Sequence, residues 1–442
     1  MNNPIRFKLF LMMVLEFFIW GAWLPLIFAY LPSLGFSASD PPQTLASLIP
    51  AGLPWWLRVF FSEQALILNA FPVAAIVGIF FSNQFADRNF AAERFLGFSQ
   101  FVGGLAMVGL GFTRTFWPFF GLMLVHCLLY VPTISITNQI AFAHLKDSKD
   151  FGFVRAGGTI GWILAAWPFF FIFSGLSGPE LKAATRWTYI VAGIASLLLA
   201  GWSLMLPHTP PKKAGEAGAE KFAWAEAFKL LKRPYVLVLW LVTFVDSFVH
   251  NTYFAWAGVF FGTPADAGGV GIAGKWIMPV MSIGQIAEIL TMFVLGATLR
   301  RLGYRMTMIL GILAYPIRFA VWAFFPHNQA LIILVQALHG VCYAFFFVSV
   351  YIFAEEYFPK DVRSSAQGLF NFMILGLGAL VGYALGPKLR LEIFVQNGVT
   401  DFHRMFFVPL FAAAVAAVSL ALFFRPPAKQ QPAAAVKSAA AV

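Results

Sequence analysis

Charge is what this chain has least of. Of its 442 residues only 11% are Asp, Glu, Lys or Arg, against roughly 25% in an ordinary soluble domain, while 60% are hydrophobic. So few charges cannot cover a water-facing surface, and a soluble globular protein is excluded. Cysteine is nearly missing too. Cys127 and Cys342 both lie in apolar runs, which leaves no disulfide framework and no thiolate metal site. The sequence shows no paired-histidine metal motif, no glycine-rich nucleotide loop and no polar stretch long enough for a catalytic domain. It therefore reads as a non-enzyme with no cofactor and no metal. Short alternating strands are also lacking, which excludes a membrane barrel.

What is present is a series of long apolar runs, near 8–31, 64–85, 95–112, 116–142, 156–175, 186–206, 234–261, 276–299, 304–325, 330–354, 365–386 and 404–424. A bilayer core about 30 Å thick takes roughly 20 apolar residues per helix, so each run is a candidate span. The expected fold is an all-α integral membrane protein of twelve transmembrane helices in two six-helix bundles. Residues 1–206 form the first bundle, 207–233 a linker, 234–425 the second bundle and 426–442 a Pro/Ala/Lys-rich disordered tail. The first run passes Leu24 without a small-residue cleavage site and reads as a retained helix.

The net charge of +11 is distributed by topology and gives no sign of a nucleic-acid partner. Threading from a cytoplasmic N-terminus puts 21 Lys and Arg on the cytoplasmic side and 8 on the other, with Arg318 left inside a span. The positive-inside rule then places both termini in the cytoplasm. The 32–63 loop falls on the outer face, where Trp55 and Trp56 suit an interfacial helix.

Ionisable groups inside hydrocarbon are costly, so each is a site candidate by default. They are Glu16, Asp246, His250, Glu288, Arg318 and His339, with Arg155 at a helix start. Gln285 and Glu288 lie three apart on one helix face, an amide beside a carboxylate, suited to a solute with several hydrogen-bonding groups or to a helix–helix clamp. Asp246 and His250, four apart, suit an ion pair or a proton relay. Asn251, Thr252 and Tyr253 follow them. Arg318 is a candidate to neutralise Glu288, to contact substrate or to serve as a structural counter-ion. His126 reads as core packing.

With these residues in view, the chain resembles the major facilitator superfamily and, within it, the bacterial nucleoside:proton symporter family. The resemblance is carried by Phe17-Phe-Ile-Trp-Gly-Ala-Trp23, Tyr130-Val-Pro-Thr133, Arg155-Ala-Gly-Gly-Thr-Ile-Gly-Trp162, Leu206-Pro-His208, Met281–Glu288, Arg363-Ser-Ser-Ala-Gln-Gly368 and Gln396-Asn-Gly-Val-Thr-Asp401. Ala86-Asp87-Arg88 sits where the superfamily carries its loop 2–3 gate motif. The resemblance implies an alternating-access carrier in the bacterial cytoplasmic membrane, a functional monomer in the lipid bilayer, taking up nucleosides by proton symport. Its rivals are an uncoupled facilitator, a carrier of another small polar solute and, remotely, a non-transporting sensor.

By motif match, Arg155, Thr159, Trp162, Gln285 and Glu288 would contact the nucleoside. His339 and Tyr343 would take the substrate-side aromatic positions of the tenth helix. Asn251 and Tyr253 are offered as neighbours of the family's polar pair on the seventh helix, which falls near Val249 and Thr252. Where the family's pattern has an Asp, this chain has Ala344. Protons remain the possible coupling ion, with Glu288, Glu16, Asp246 and His250 as candidates to carry them.

Overall fold

The computed structural model describes residues 4–50, 52–78, 89–145, 151–211, 228–358 and 363–426. They are overwhelmingly helical, because a span in hydrocarbon must satisfy its own backbone N–H and C=O groups. Among the described residues eight helices are long and apolar enough to cross a membrane, the longest of 51 residues. That helix, Gly274–Phe324, is two spans reversed at Gly303, whose φ of 73° suits a residue without a Cβ.

In chain order the spans are α1 (Pro4–Ser33), α2 (Glu63–Leu68 and Ala70–Val77), α3 (Ala92–Leu110), α4 (Phe116–His144) and α5 (Phe151–Leu164 and Trp167–Ile172). There follow α6 (Trp187–Ser203), α7 (Pro234–Gly262), α8 and α9 (the two arms of Gly274–Phe324), α10 (Gln329–Tyr357), α11 (Ala366–Ile393) and α12 (Phe402–Phe423). The twelve agree in place with the twelve apolar runs. The loop carrying Ala86, Asp87 and Arg88, residues 212–227 of the expected linker and residues 427–442 of the tail lie outside the described residues.

Local chemistry fixes where the spans begin. Ser62 caps α2 by accepting from the Ala65 N–H, and Asn328 caps α10 by accepting from the Leu331 N–H. Asp401 does the same for Arg404 ahead of α12. Pro234 occupies the first turn of α7, where its missing N–H has no cost. Trp55 and Trp56, on a one-turn helix in the loop after α1, are half exposed.

Two glycine faces bring helices to backbone contact, the packing mode expected where apolar burial gives helices no preference for one another over lipid. On α5, a Cβ at Gly161 would stand 2.0 Å from the Val14 carbonyl oxygen, and one at Gly157 2.7 Å from that of Phe10, so α5 lies directly on α1. On α11, Gly378, Gly382 and Gly386 recur every four residues against Ser247, Asn251 and Ala255 of α7. Trp256 reinforces that seam by donating from Nε1 to the Gly386 carbonyl at 2.9 Å.

The two bundles meet firmly at the end that carries the loop after α1. There Arg390 of α11 donates to the Phe28 carbonyl at 3.2 Å, Lys388 bonds Ser39, and Phe170 packs on Trp276 at 4.9 Å. Gly258 of α7 passes so near α1 that a Cβ there would lie 3.0 Å from the Pro25 carbonyl oxygen.

Because Gly161 admits no side chain, Gly161→Leu should cost about 1–3 kcal/mol through overpacking. Gly201, with nothing within 4 Å of its Cβ position, is the matched control. Thermal unfolding of the purified proteins should show a lower midpoint for Gly161→Leu and none for Gly201→Leu; equal midpoints would contradict the contact.

Candidate functional site

A small cleft opens between the bundles. Its walls are Gly21 and Pro25 of α1, Trp162 and Ala166 of α5, Phe254 of α7, and Met278, Met281, Ser282 and Gln285 of α8. The glycine contact of α5 on α1 sets one wall, where Trp162 meets Trp20 edge-on at 5.3 Å and Phe254, across the bundle boundary, at 5.9 Å. Gln285 supplies the polar group of the other wall. It is 6% exposed, and its Oε1 has no hydrogen-bond partner in the protein. A buried amide oxygen of this kind takes its hydrogen from outside the protein, from water or a ligand.

Glu288 lies one turn further along α8, buried, with no ion-pair partner within 4 Å among the described residues. Its backbone is fixed by α10: a Cβ on Gly340 would come within 2.2 Å of the Glu288 nitrogen. Arg155 stands across the boundary with its guanidinium 4.3 Å from the Phe17 ring. Thr159 is partly buried between the Arg155 and Trp162 turns of α5. Of the motif residues, Trp162 and Gln285 line the cleft; Arg155 and Thr159 lie on the helix of Trp162, Glu288 on that of Gln285, and Tyr343 on α10.

The remaining candidates are placed differently. Arg318, fully buried, does not pair with Glu288; its Nη1 donates to His339 Nδ1 at 3.0 Å, and its guanidinium sits over the Tyr253 ring at 4.1 Å. Tyr315, Phe319 and Trp322 complete an aromatic jacket at 5.3–5.6 Å. A guanidinium is weakly hydrated and is attracted to ring faces, so aromatic quadrupoles here take the place of a counter-ion.

His339 and Tyr253 are therefore held inside the second bundle and do not line the cleft. Asn251 turns back on α7, donating to the Ser247 carbonyl at 2.8 Å, against α11. The expected Asp246–His250 pair is absent: His250 Nδ1 lies 2.8 Å from the Tyr315 hydroxyl, while both Asp246 oxygens are buried without a hydrogen bond. The two side chains have different neighbours because aromatic residues of α9 and α10 take up the imidazole, which stacks on His339 at 5.0 Å. His126 is core, as expected, with Nδ1 3.1 Å from the Gly103 carbonyl.

Glu16 belongs to a network inside the first bundle that sequence reading did not assemble. Thr133 and Gln100 reach its two carboxyl oxygens at 2.7 and 2.9 Å, and Ser196 stands behind Gln100 at 2.6 Å. Each was visible as a polar residue in an apolar run, but only the packing of α1, α3, α4 and α6 shows that they converge. Phe254, Ser282 and the two methionines of the cleft carried no signal of their own.

The sequence model of the family described as Nucleoside H+ symporter matches residues 3–429. Over 428 residues, 95% of this chain and 93% of the relative, the chain is 31% identical to the putative nucleoside transporter YegT of Escherichia coli (strain K12). It is 26% identical to the nucleoside permease NupG of the same organism, covering 92% of each protein. The crystal structure of nucleoside transporter NupG superposes with a TM-score of 0.78 at 22% identity, over 96% of this chain and 100% of that one. A D-xylose-proton symporter follows the same path at a TM-score of 0.68 and 15% identity, over 96% and 99%. These likenesses establish the major facilitator fold.

The jacket around Arg318 makes a prediction about stability. Arg318→Ala leaves a void among four rings and should cost about 2–5 kcal/mol. Arg318→Met keeps most of the volume and removes the desolvation cost of the charge, so its melting midpoint should lie well above that of Arg318→Ala. Equal losses in the two variants would show that the charge, and not the packing, holds this core.

Proposed function

The chain belongs to the Nucleoside H+ symporter family, and we propose that it carries nucleosides inward across the bacterial cytoplasmic membrane by alternating access, with protons as the coupling ion. The observation that carries this reading is the family match from residue 3 to 429 together with the free Oε1 of Gln285 in the cleft between the bundles.

A nucleoside presents ribose hydroxyls, a base edge with donors and acceptors, and a π-face. Gln285 offers an acceptor and two donors, Glu288 accepts from hydroxyls, Arg155 donates, and Trp162 supplies an aromatic plane. Thr159 and Tyr343 extend the same surface with hydroxyls. His339, Asn251 and Tyr253 act from behind it, holding α7, α9 and α10 in register.

The excess of Lys and Arg near the termini supports a cytoplasmic location for both ends, with the loop after α1 outside. On that orientation the contacts of Arg390, Lys388 and Phe170 close the outer end. Rocking of the bundles about the cleft would break these contacts and open the site outward. The carrier acts as a monomer, since both walls of the cleft come from one chain.

A second reading, an uncoupled facilitator, is favoured by Ala344, which is fully buried where the family's pattern has an acid. Uridine uptake into proteoliposomes separates the two. Accumulation driven by an inward proton gradient is expected; uptake that ignores the gradient leaves the facilitator, and absence of uptake removes the nucleoside. Within the site, Gln285→Ala and Glu288→Gln should each weaken uridine binding about tenfold, the cost of roughly one lost hydrogen bond. Unchanged affinity in both would take α8 out of the site.

A further inference from the structure

We propose that Glu16 on α1 is the group that carries the coupled proton, in place of the acid that the family's pattern has on α10 where this chain has Ala344. The inference rests on the symport reading and adds the identity of the proton carrier. Its basis is a count of hydrogens. Thr133 Oγ1 bears one hydrogen and stands 2.5 Å from the Tyr130 carbonyl oxygen and 2.7 Å from Glu16 Oε1. It also receives Gln100 Nε2 at 3.0 Å, while the second hydrogen of that nitrogen goes to Glu16 Oε2 at 2.9 Å. Ser196 holds the amide in this orientation, its hydroxyl 2.6 Å from Gln100 Oε1 and 2.8 Å from the Gln100 carbonyl.

With Glu16 ionised, the single Thr133 hydrogen can serve only one of its two close acceptors. With a proton on Oε1, the carboxyl O–H donates to Thr133 Oγ1, the threonine hydroxyl turns to the Tyr130 carbonyl, and each contact has its hydrogen. Rotation of one hydroxyl therefore accommodates the carboxyl in either state. Hydronium on the outer side gives up a proton, an O–H bond forms at Oε1 and water is left. On the inner side the bond breaks and the proton returns to water.

The surroundings fit a carrier of protons more than a structural ion pair. Glu16 is 0% exposed, so the proton is held away from water while the outer end is closed. The titratable group that contacts it is Tyr130 of α4, with His126 stacked on that ring at 5.2 Å; Arg155 of α5 lies on the ring of the next residue, Phe17, and α3 and α6 present Gln100 and Ser196. The Tyr130 hydroxyl is committed to the Glu16 carbonyl at 2.6 Å, and His126 to Gly103.

The same helix leads from Glu16 to the cleft. Phe17, the next residue, carries the Arg155 guanidinium on its ring. One turn beyond Phe17, α1 forms the cleft wall at Gly21. Among the other buried carboxyls, Glu288 belongs to the substrate surface, and Asp246 has no donor on either oxygen, so nothing there serves an ionised state.

The test uses full-length protein in liposomes with labelled uridine. For one-to-one symport an inward gradient of about one pH unit should concentrate uridine about tenfold in the native protein, since 1.4 kcal/mol corresponds to tenfold. Glu16→Gln, isosteric with the protonated form, should abolish that accumulation and keep uridine counterflow within about twofold, because exchange needs no net proton movement. Accumulation that persists in Glu16→Gln, or that is lost in Asp246→Asn alone, overturns the proposal. Should Glu16→Gln fail to reach the membrane, Thr133 decides: Thr133→Ser should accumulate uridine as the native protein does and Thr133→Val should not, and equal behaviour of the two counts against it. If the native protein itself ignores the gradient, the symport reading fails on its own. The infrared carboxyl band on lowering pH then decides Glu16, which is retained as a proton site if Glu16→Gln lacks the band and rejected if the band is unchanged.

Discussion

The contact on which the rest of the site depends is the meeting of α5 and α1 at Gly157 and Gly161. In hydrocarbon no gain in apolar burial drives helices together, so close backbone approach and interlocked shape must do it. By removing two side chains the sequence lets α5 lie on α1, and the consequences run in both directions. Toward the cleft, Trp162 is brought against Trp20 and forms a wall with Gly21 and Pro25. Away from it, Arg155 is set down on Phe17 beside Glu16. The second bundle repeats the device, with Gly340 of α10 on the backbone of Glu288 and the glycine ladder of α11 on α7.

The two bundles treat buried charge in different ways. In the first, Glu16 is surrounded by small neutral donors, which reorient easily and can follow a change of charge. In the second, Arg318 is enclosed by four rings and one imidazole, surroundings that hold a permanent charge in one place. The first arrangement is adaptable and the second is fixed, which suits a moving proton in one bundle and a rigid scaffold for α8 and α10 in the other.

Much of this was legible in the sequence. Twelve apolar runs predict the twelve spans because hydropathy and helix length are tied to bilayer thickness. The three-residue spacing of Gln285 and Glu288 predicts a shared face; Gln285 lines the cleft, and Glu288 is buried one turn on, its backbone against Gly340. Contacts between distant helices were not legible. That His250 bonds Tyr315 and not Asp246, and that Arg318 finds His339 and not Glu288, depends on how α7, α9 and α10 rotate about their axes. Local spacing carries no information on that rotation. Gln100, Thr133 and Ser196 converge on Glu16 from three helices for the same reason.

Gly303 has a consequence for how the chain sits in the bilayer. A single reversed residue joins α8 to α9, and Arg300, Arg301 and Arg305 crowd the bend. Three guanidinium groups resist entry into hydrocarbon and hold the bend at one face of the bilayer while the two arms cross it. The cleft wall bearing Gln285 is thereby tied through one residue to the helix that bears Arg318.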